Sequence, residues 1–434
     1  MAAPRPLNAG GRGAKPSAKR TEVTEALLAS AGPNTGPSWL QSARDAAEAR
    51  FADMGAPLRG DEYWRNTNPA PFIDAHPNLQ DAGDVALALD AAPLRVVFTD
   101  GRFDADASDA LALEGADISV LSTGSDIHWA ADVIGTLEAR AQIDVPRPLA
   151  AWNTARATDG VLIRATGAVE RPILIETRGG ASDPILHHVI FVEEGASLTV
   201  LEQGPAENRS SQGIEARVAK GGALHHLRLQ PKTAHHLRAS FLFASLAQDA
   251  QVKSFTLATA GILTRNEAVF WLDGDDAAAH VAGAAIGDAA DAAFHHDDTV
   301  FITHDALNGE SRQVFKKVLR NGAVGVFQGK ILVKDGAQKT DGYQISQSLL
   351  LDDDSQFLAK PELEIYADDV ACSHGSTTGA IDETALFYLR SRGVSKRDAT
   401  DMLVLSFLAE ALDEIEDEAM RDAVATLLEA WLKP

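Results

Sequence analysis

A period of 27 residues constrains this chain more than any other feature: Ala196, Ala223, Ala250 and Ala277 recur at that spacing, each directly after a turn residue, Gly195, Gly222, Asp249 or Asp276. The register also carries mostly apolar companions. Seven positions earlier stand Val189, Ala216, Phe243 and Phe270; five earlier, Phe191, Val218, Ser245 and Leu272; four later, Val200, Leu227, Ser254 and Val281. Positions two apart share one face of a strand. Strand-turn-strand units repeating at a fixed period stack equivalent side chains into a continuous interior. The period therefore predicts a parallel β-helix with the four alanines at equivalent stacked positions, and disfavours an antiparallel sandwich with chance spacing.

The surrounding texture sets the expected limits of that β-helix. From Val161 to about Ala380 short β-like runs alternate with Gly, Asp and Asn. Later runs such as Ala323-Val324-Gly325-Val326 and Gln356-Phe357-Leu358 keep the texture but lose the spacing. Residues 1–37, rich in Gly, Pro and Ala and basic through Arg5, Arg12, Lys15, Lys19 and Arg20, are expected to be a disordered arm. Residues 38–156 read as a mainly helical N-terminal domain with short strands at Val96-Val97-Phe98 and Ile118–Leu121 and a helix within Ala130–Ala141. The β-helix core is placed at 157–380 and a C-terminal helical domain at 381–434. There Asp382 can cap a helix that Gly393 stops. Ser395 with Asp398 resembles a capping box, and Met420, Ala423, Val424, Leu427, Leu428 and Trp431 form one apolar stripe. An acidic hinge, Asp413, Glu414, Glu416, Asp417 and Glu418, separates the last two helices.

Charge and cysteine usage narrow the function classes. Among 434 residues, 39 are Lys or Arg and 62 Asp or Glu, a net charge of −23. A field of that sign repels phosphate backbones, so nucleic acid is excluded as a general partner. No apolar run reaches the ~18 residues of a bilayer span, so no membrane contact is expected. Cys372 is the only cysteine, which rules out an internal disulfide framework and fits a reducing cytoplasm. A plastid transit peptide is the lesser reading of the basic arm.

Few residues are placed to do chemistry. Gly325-Val326-Phe327-Gln328-Gly329-Lys330-Ile331 lacks the glycine spacing and closing Ser/Thr of a phosphate loop, so the chain is not read as an NTPase. Four tandem histidine pairs, His187-His188, His225-His226, His235-His236 and His295-His296, suggest metal binding. Adjacent strand residues face opposite ways, so no pair can chelate, and a structural or surface role is expected. Cys372-Ser373-His374 is different, because a thiol and an imidazole two residues apart share one face of an extended chain. That pairing suits soft-metal ligation, sulfur transfer or nucleophilic catalysis, against the alternative of a buried, inert cysteine beside a hydrogen-bonded histidine. Iron-sulfur clusters need about four ligands, mostly thiolates, so this chain could supply only part of such a site.

The stretch Lys360-Pro361-Glu362-Leu363-Glu364-Ile365-Tyr366-Ala367-Asp368-Asp369-Val370-Ala371-Cys372-Ser373-His374-Gly375 resembles the signature of the SufB/SufD family of the SUF iron-sulfur assembly system, on its SufD branch. Phe327–Ile331, Ala337–Asp341 and Leu386–Gly393 extend the likeness, and Glu62-Tyr63-Trp64-Arg65-Asn66-Thr67 and Trp152-Asn153-Thr154 continue it upstream. SufB-like chains carry a Glu-His-Glu-type signature where this one has Cys372-Ser373-His374, so the SufD branch is preferred. The resemblance implies a mainly β fold, a central right-handed parallel β-helix flanked by N-terminal and C-terminal helical domains. It also implies a non-catalytic scaffold that pairs with SufB and binds the SufC ATPase through its C-terminal helices. A transient iron-sulfur cluster would form at the SufB interface on His374 and Cys372. Leu386 and Leu405 are candidate ATPase contacts if exposed. Two competing readings are a Cys-His hydrolase or transferase on a β-helix and a purely structural homodimer. Parallel i, i+2 side chains disfavour the first, since a nucleophilic cysteine wants its histidine across a cleft.

Overall fold

The computed structural model describes residues 17–30, 37–74, 92–124, 129–179, 183–204, 209–230 and 236–432. The chain opens with helices α1 (Ala18–Ser30) and α2 (Ser38–Met54). Most of the arm expected to be disordered lies outside the described residues, but Ala18–Ser30 within it is helical. Arg20 donates to the Ala56 carbonyl and pairs with Asp61, and the Thr24 hydroxyl accepts from Ala56 N. The apolar face of Val23, Leu27 and Leu28 packs near Phe51. Composition pointed to disorder because Gly and Pro outweigh this short amphipathic stretch.

Four strands, β1 (Leu94–Thr99), β2 (Arg102–Phe103), β3 (Ala112–Leu113) and β4 (Ala116–Val120), precede α3 (Thr136–Ala141) and α4 (Pro148–Arg156). The β-helix strands follow: β5 (Val161–Ala165), β6 (Ile173–Arg178), β7 (Ile185–Val192), β8 (Ser197–Gln203), β9 (Arg209–Val218), β10 (Ala223–Leu229), β11 (Leu237–Leu246) and β12 (Gln251–Ala258). They continue as β13 (Leu263–Leu272), β14 (Ala278–Asp288), β15 (His295–His304), β16 (Glu310–Arg320), β17 (Val324–Val333), β18 (Asp341–Leu350), β19 (Gln356–Ile365) and β20 (Ala371–Gly379). Helices α5 (Glu383–Ser391), α6 (Lys396–Leu412) and α7 (Glu418–Leu432) close the chain. Even-numbered strands from β6 to β20 stack in parallel in one sheet, and odd-numbered strands from β5 to β19 in the other. β1 joins the first sheet beside β6 and β4 the second beside β5, so the β architecture begins well upstream of residue 157.

The repeat is real, but its second turn is displaced by one residue. In the first sheet Ser197 pairs with Ala223, Ala223 with Gln251, and Gln251 with Ala278. Ala196, Ala250 and Ala277 therefore share a stacked position with Gly222, not with Ala223. The three are buried in the central core, whereas Ala223 is half-exposed. The left-handed turn residues repeat the shift: Gly195, Gly221, Asp249 and Asp276 have φ of 68°, 63°, 56° and 60°. In the second sheet the true columns are Ile190, Ala216, Ala244, Phe270 and Val192, Val218, Leu246, Leu272. Turns alternately shorter and longer by one residue average to 27, so a strict period lands on the correct face in only some turns. From β13 onward the turns lengthen to about 30 residues, which is why the spacing fades.

The interior is an apolar core that includes Ile163, Ile190, Ile214, Leu242, Phe270, Val300 and Phe327. Each such side chain, fully buried, stabilises the fold by roughly 1.5–3 kcal/mol. Outside, Trp64, Phe72 and Leu149 of the N-terminal segment cover Phe241, Phe243, Trp271 and Phe301 of the second sheet. Val404, Leu408, Met420, Val424, Leu428 and Trp431 of α6 and α7 cover Leu227, Phe255, Ala282 and Val314 of the first. The apolar stripe of α7 is thus buried as its spacing predicts. Asp382 accepts from Thr384 N and Ala385 N, Ser395 accepts from Asp398 N, and Gly393 with φ of 88° ends the last turn before α6.

Candidate functional site

Cys372 and His374 lie on β20, the last strand of its sheet, opposite Gly342 and Gln344 of β18. Both belong to the inward column, because Cys372 packs with Ile331, Val333 and Ala337 across the interior and Gln344 donates to Gln313 within it. A Cβ built on Gly342 would stand 3.1 Å from the Cys372 sulfur, so the glycine leaves the room the thiol occupies. Cys372 is half-buried and burial pushes its thiol pKa up. At neutral pH it is a protonated thiol, not an activated nucleophile. His374 is exposed, as are Ser373 and Ser376. Beside them Ser346 bonds Ser376 at 3.1 Å and Ser348 bonds Thr378 at 3.2 Å, so the end of the helix interior is polar.

This end has no covering strand among the described residues. Ala371 N donates to Thr340 O, the residue directly before β18. By the alternation of a strand, the N–H and C=O groups of Cys372, His374, Ser376 and Thr378 therefore face the open edge. On β19, Gln356 N and Tyr366 N donate toward β17, so Phe357, Ala359, Pro361, Leu363 and Ile365 face outward. Pro361 has no N–H, and the free edge of β19 lacks a donor at its midpoint. The terminal rung thus offers one unbroken pairing edge and one broken one.

Where both members are described, the histidine pairs divide as the strand alternation predicts, one side chain outward and one inward. His187 points outward to Asn153 Oδ1 and Glu215 Oε1, both at 2.9 Å. His188 points inward, and its Nδ1 accepts from Val161 N at 3.0 Å. His226 bonds Glu202 and Ser254, and His296 pairs with Asp298, which also pairs with Lys317 at 2.8 Å. His225 reaches Glu416 of the acidic hinge at 3.0 Å. His295 lies 3.0 Å from the Thr67 hydroxyl, while His235 falls outside the described residues. No group of three or more His, Cys, Asp or Glu side chains among the described residues is arranged to hold a metal ion. Cys372 and His374 could contribute at most two donors of a shared site.

At the C-terminus, Leu386 is 5% exposed and Leu405 half-buried. Leu386 is therefore core, not a contact surface, because α5 turns that face toward α6. The exposed apolar side chains are Phe387 (74%) and Tyr388 (55%) of α5, with Met402 (51%) of α6. Sequence reasoning missed Phe387 and Tyr388 because in a nine-residue helix nothing in the spacing separates inner from outer apolar positions.

The family model described as "SUF system FeS cluster assembly, SufBD core domain" matches residues 176–407, from β6 into α6. The chain is 30% identical over 388 residues to the iron-sulfur cluster assembly protein SufD of Escherichia coli, covering 85% of this chain and 88% of that one. It is 30% identical over 135 residues to the Bacillus subtilis SufD, 31% of each chain. Over 276 residues it is 26% identical to the chloroplastic protein ABCI7 of Arabidopsis thaliana, covering 58% of this chain and 56% of that one.

Proposed function

The chain belongs to the SufB/SufD family of the SUF iron-sulfur cluster assembly system, and on that premise we propose that it is a non-catalytic scaffold subunit whose terminal rung meets a SufB-like partner. The observation that carries this reading is the coincidence on one strand of an open pairing edge and the Cys372/His374 pair. A partner strand added to β20 would hydrogen-bond the edge-facing N–H and C=O groups of Cys372, His374, Ser376 and Thr378, cover the polar mouth of the β-helix and bring its own thiolates beside His374. The nascent cluster is cargo in this reading. Neutral imidazole at His374 supplies a nitrogen ligand to iron. The thiol of Cys372, raised in pKa by burial, must lose its proton to serve, so it is the weaker of the two donors. The same raised thiol, and the lack among the described residues of a third orienting group beside the pair, argue against the hydrolase alternative.

The α5 pair Phe387 and Tyr388 is the natural seat for a SufC-like ATPase, since a 74% exposed Phe beside a 55% exposed Tyr is an apolar patch that function must account for. No helix among the described residues is long and apolar enough to cross a membrane, and a reducing cytoplasm suits the single free thiol. The test is anaerobic co-expression with SufB-like and SufC-like partners, read by visible absorption and iron content. His374→Ala should lose most of the cluster while the subunits still co-elute, and Cys372→Ala should lose less. Wild-type cluster yield in His374→Ala would leave the chain a structural partner only.

A further inference from the structure

Residues 62–67 have no part in the site above, yet they lie across the outer face of the second sheet. The Tyr63 carbonyl accepts from Arg265 of β13 at 3.0 Å and from Gln328 of β17 at 3.2 Å. Its ring packs edge-on against Phe301 of β15, centroids 5.1 Å apart, and its hydroxyl donates to Glu362 Oε2 of β19 at 2.8 Å. Lys360, also on β19, stands 3.9 Å from the centre of the same ring and 2.8 Å from Glu62 Oε1. Trp64 lies under the Arg265 guanidinium at 4.1 Å, and the Thr67 hydroxyl donates to Asp297 of β15. One short segment therefore grips four successive strands, and the last is the terminal strand.

We propose that Glu62 and Tyr63 are positioning residues that order β19 before a second subunit arrives, and that they keep Lys360 and Glu362 engaged within their own chain. This rests on the reading that the terminal rung meets a partner. The physical need is clear, because β19 is bonded to a neighbour on one side only and an unbraced edge strand would have to be ordered at the moment of association. Burial and the Glu362 carboxylate raise the Tyr63 phenol pKa, so it remains a donor across the working pH range. The brace also explains how a strand with a proline-broken edge stays in register beside β17. The bonds come from a segment nearly 300 residues away in sequence, not from a further rung.

The test is hydrogen exchange on the full chain, alone and with a SufB-like partner. Tyr63→Phe removes one hydroxyl and keeps the ring. Exchange at Leu358, Lys360, Glu362 and Glu364, whose amides bond toward β17, should accelerate roughly tenfold, the change expected from losing one charge-assisted hydrogen bond, with β13 unaffected. Partner dissociation should accelerate by a similar factor. Glu362→Gln retains an acceptor and should stay within about twofold of wild type, whereas Tyr63→Phe combined with Glu362→Leu should be no worse than Glu362→Leu alone. Unchanged β19 exchange in Tyr63→Phe would overturn the proposal. So would faster exchange with unchanged partner dissociation, which would make the contact merely structural. If the wild-type chain binds no SufB-like partner, the partner reading itself falls and takes the positioning role with it, an outcome distinct from any change in the variants.

Discussion

The middle of the β-helix and its last rung are built from the same repeat but treat polar side chains in opposite ways. In the middle, inward polar groups are matched: Glu202 with Arg228 and His226, Asp298 with Lys317 and His296, Gln212 with Arg238 and Thr177. Although burial opposes ionisation, the His296 and Lys317 charges hold the Asp298 carboxyl far below its usual range. At the last rung the inward face ends in His374, Ser376 and Thr378, with no strand among the described residues stacked on them. A histidine in the middle is held by buried partners, whereas His374 lies exposed on the last strand. The difference comes from position along the solenoid, since all these residues sit on inward faces of parallel strands.

Acidification should separate the two regions most strongly. Burial lowers His188 to about 3 and His295 and His304 to about 4, below the unfolded value of about 6.5. The unfolded chain therefore binds protons first, so stability is full above pH ~6.5 and is lost as pH falls toward 4. Asp298, depressed in the fold, adds loss of the same sign at lower pH. The three histidines together should cost about 5 kcal/mol between pH 7 and pH 5 at ~1.4 kcal/mol per unit each. Urea unfolding at the two pH values measures it, and an unchanged midpoint between them would contradict the buried neutral state of these histidines.

Next in size, Lys317→Met leaves Asp298 buried without its ammonium partner, while Lys317 also donates to the His296 and Val326 carbonyls. A destabilisation of roughly 3–5 kcal/mol is expected, against under about 0.5 kcal/mol for His374→Ala at the exposed end, both read from urea midpoints. A smaller effect tests the register itself. Ala250→Leu must fit three extra carbons into the core and should cost ~1–3 kcal/mol, whereas Ala223→Leu, at a half-exposed outward position, should cost little. Equal effects would contradict the one-residue displacement of the second turn. Smallest in stability, Phe387→Ser with Tyr388→Ser should change unfolding by less than about 0.5 kcal/mol yet abolish co-purification of a SufC-like ATPase. Retained binding would move that contact elsewhere.

The β-helix was legible because small residues, glycines and aspartates at the turns recur visibly, and the capped C-terminal helices were legible from Asp382, Ser395 and Gly393. The exact register was not, since turns one residue short and one residue long cancel in the average. Nor was the brace, because Tyr63 meets Glu362 across 299 positions of sequence and no local pattern encodes such a contact. Cys372 and His374 were found from their two-residue spacing and the family likeness. That they sit on a strand with one open edge depends on which rung is last, which the repeat does not announce.

The claim that the terminal rung is the meeting surface is tested most directly by amide exchange along β20 before and after adding a SufB-like partner. In the free chain Ser373, Gly375 and Thr377 should be protected by β18 while Cys372, His374, Ser376 and Thr378 exchange freely. Selective protection of those four on binding is the expected result. Complex formation that leaves them exchanging as before would contradict the account.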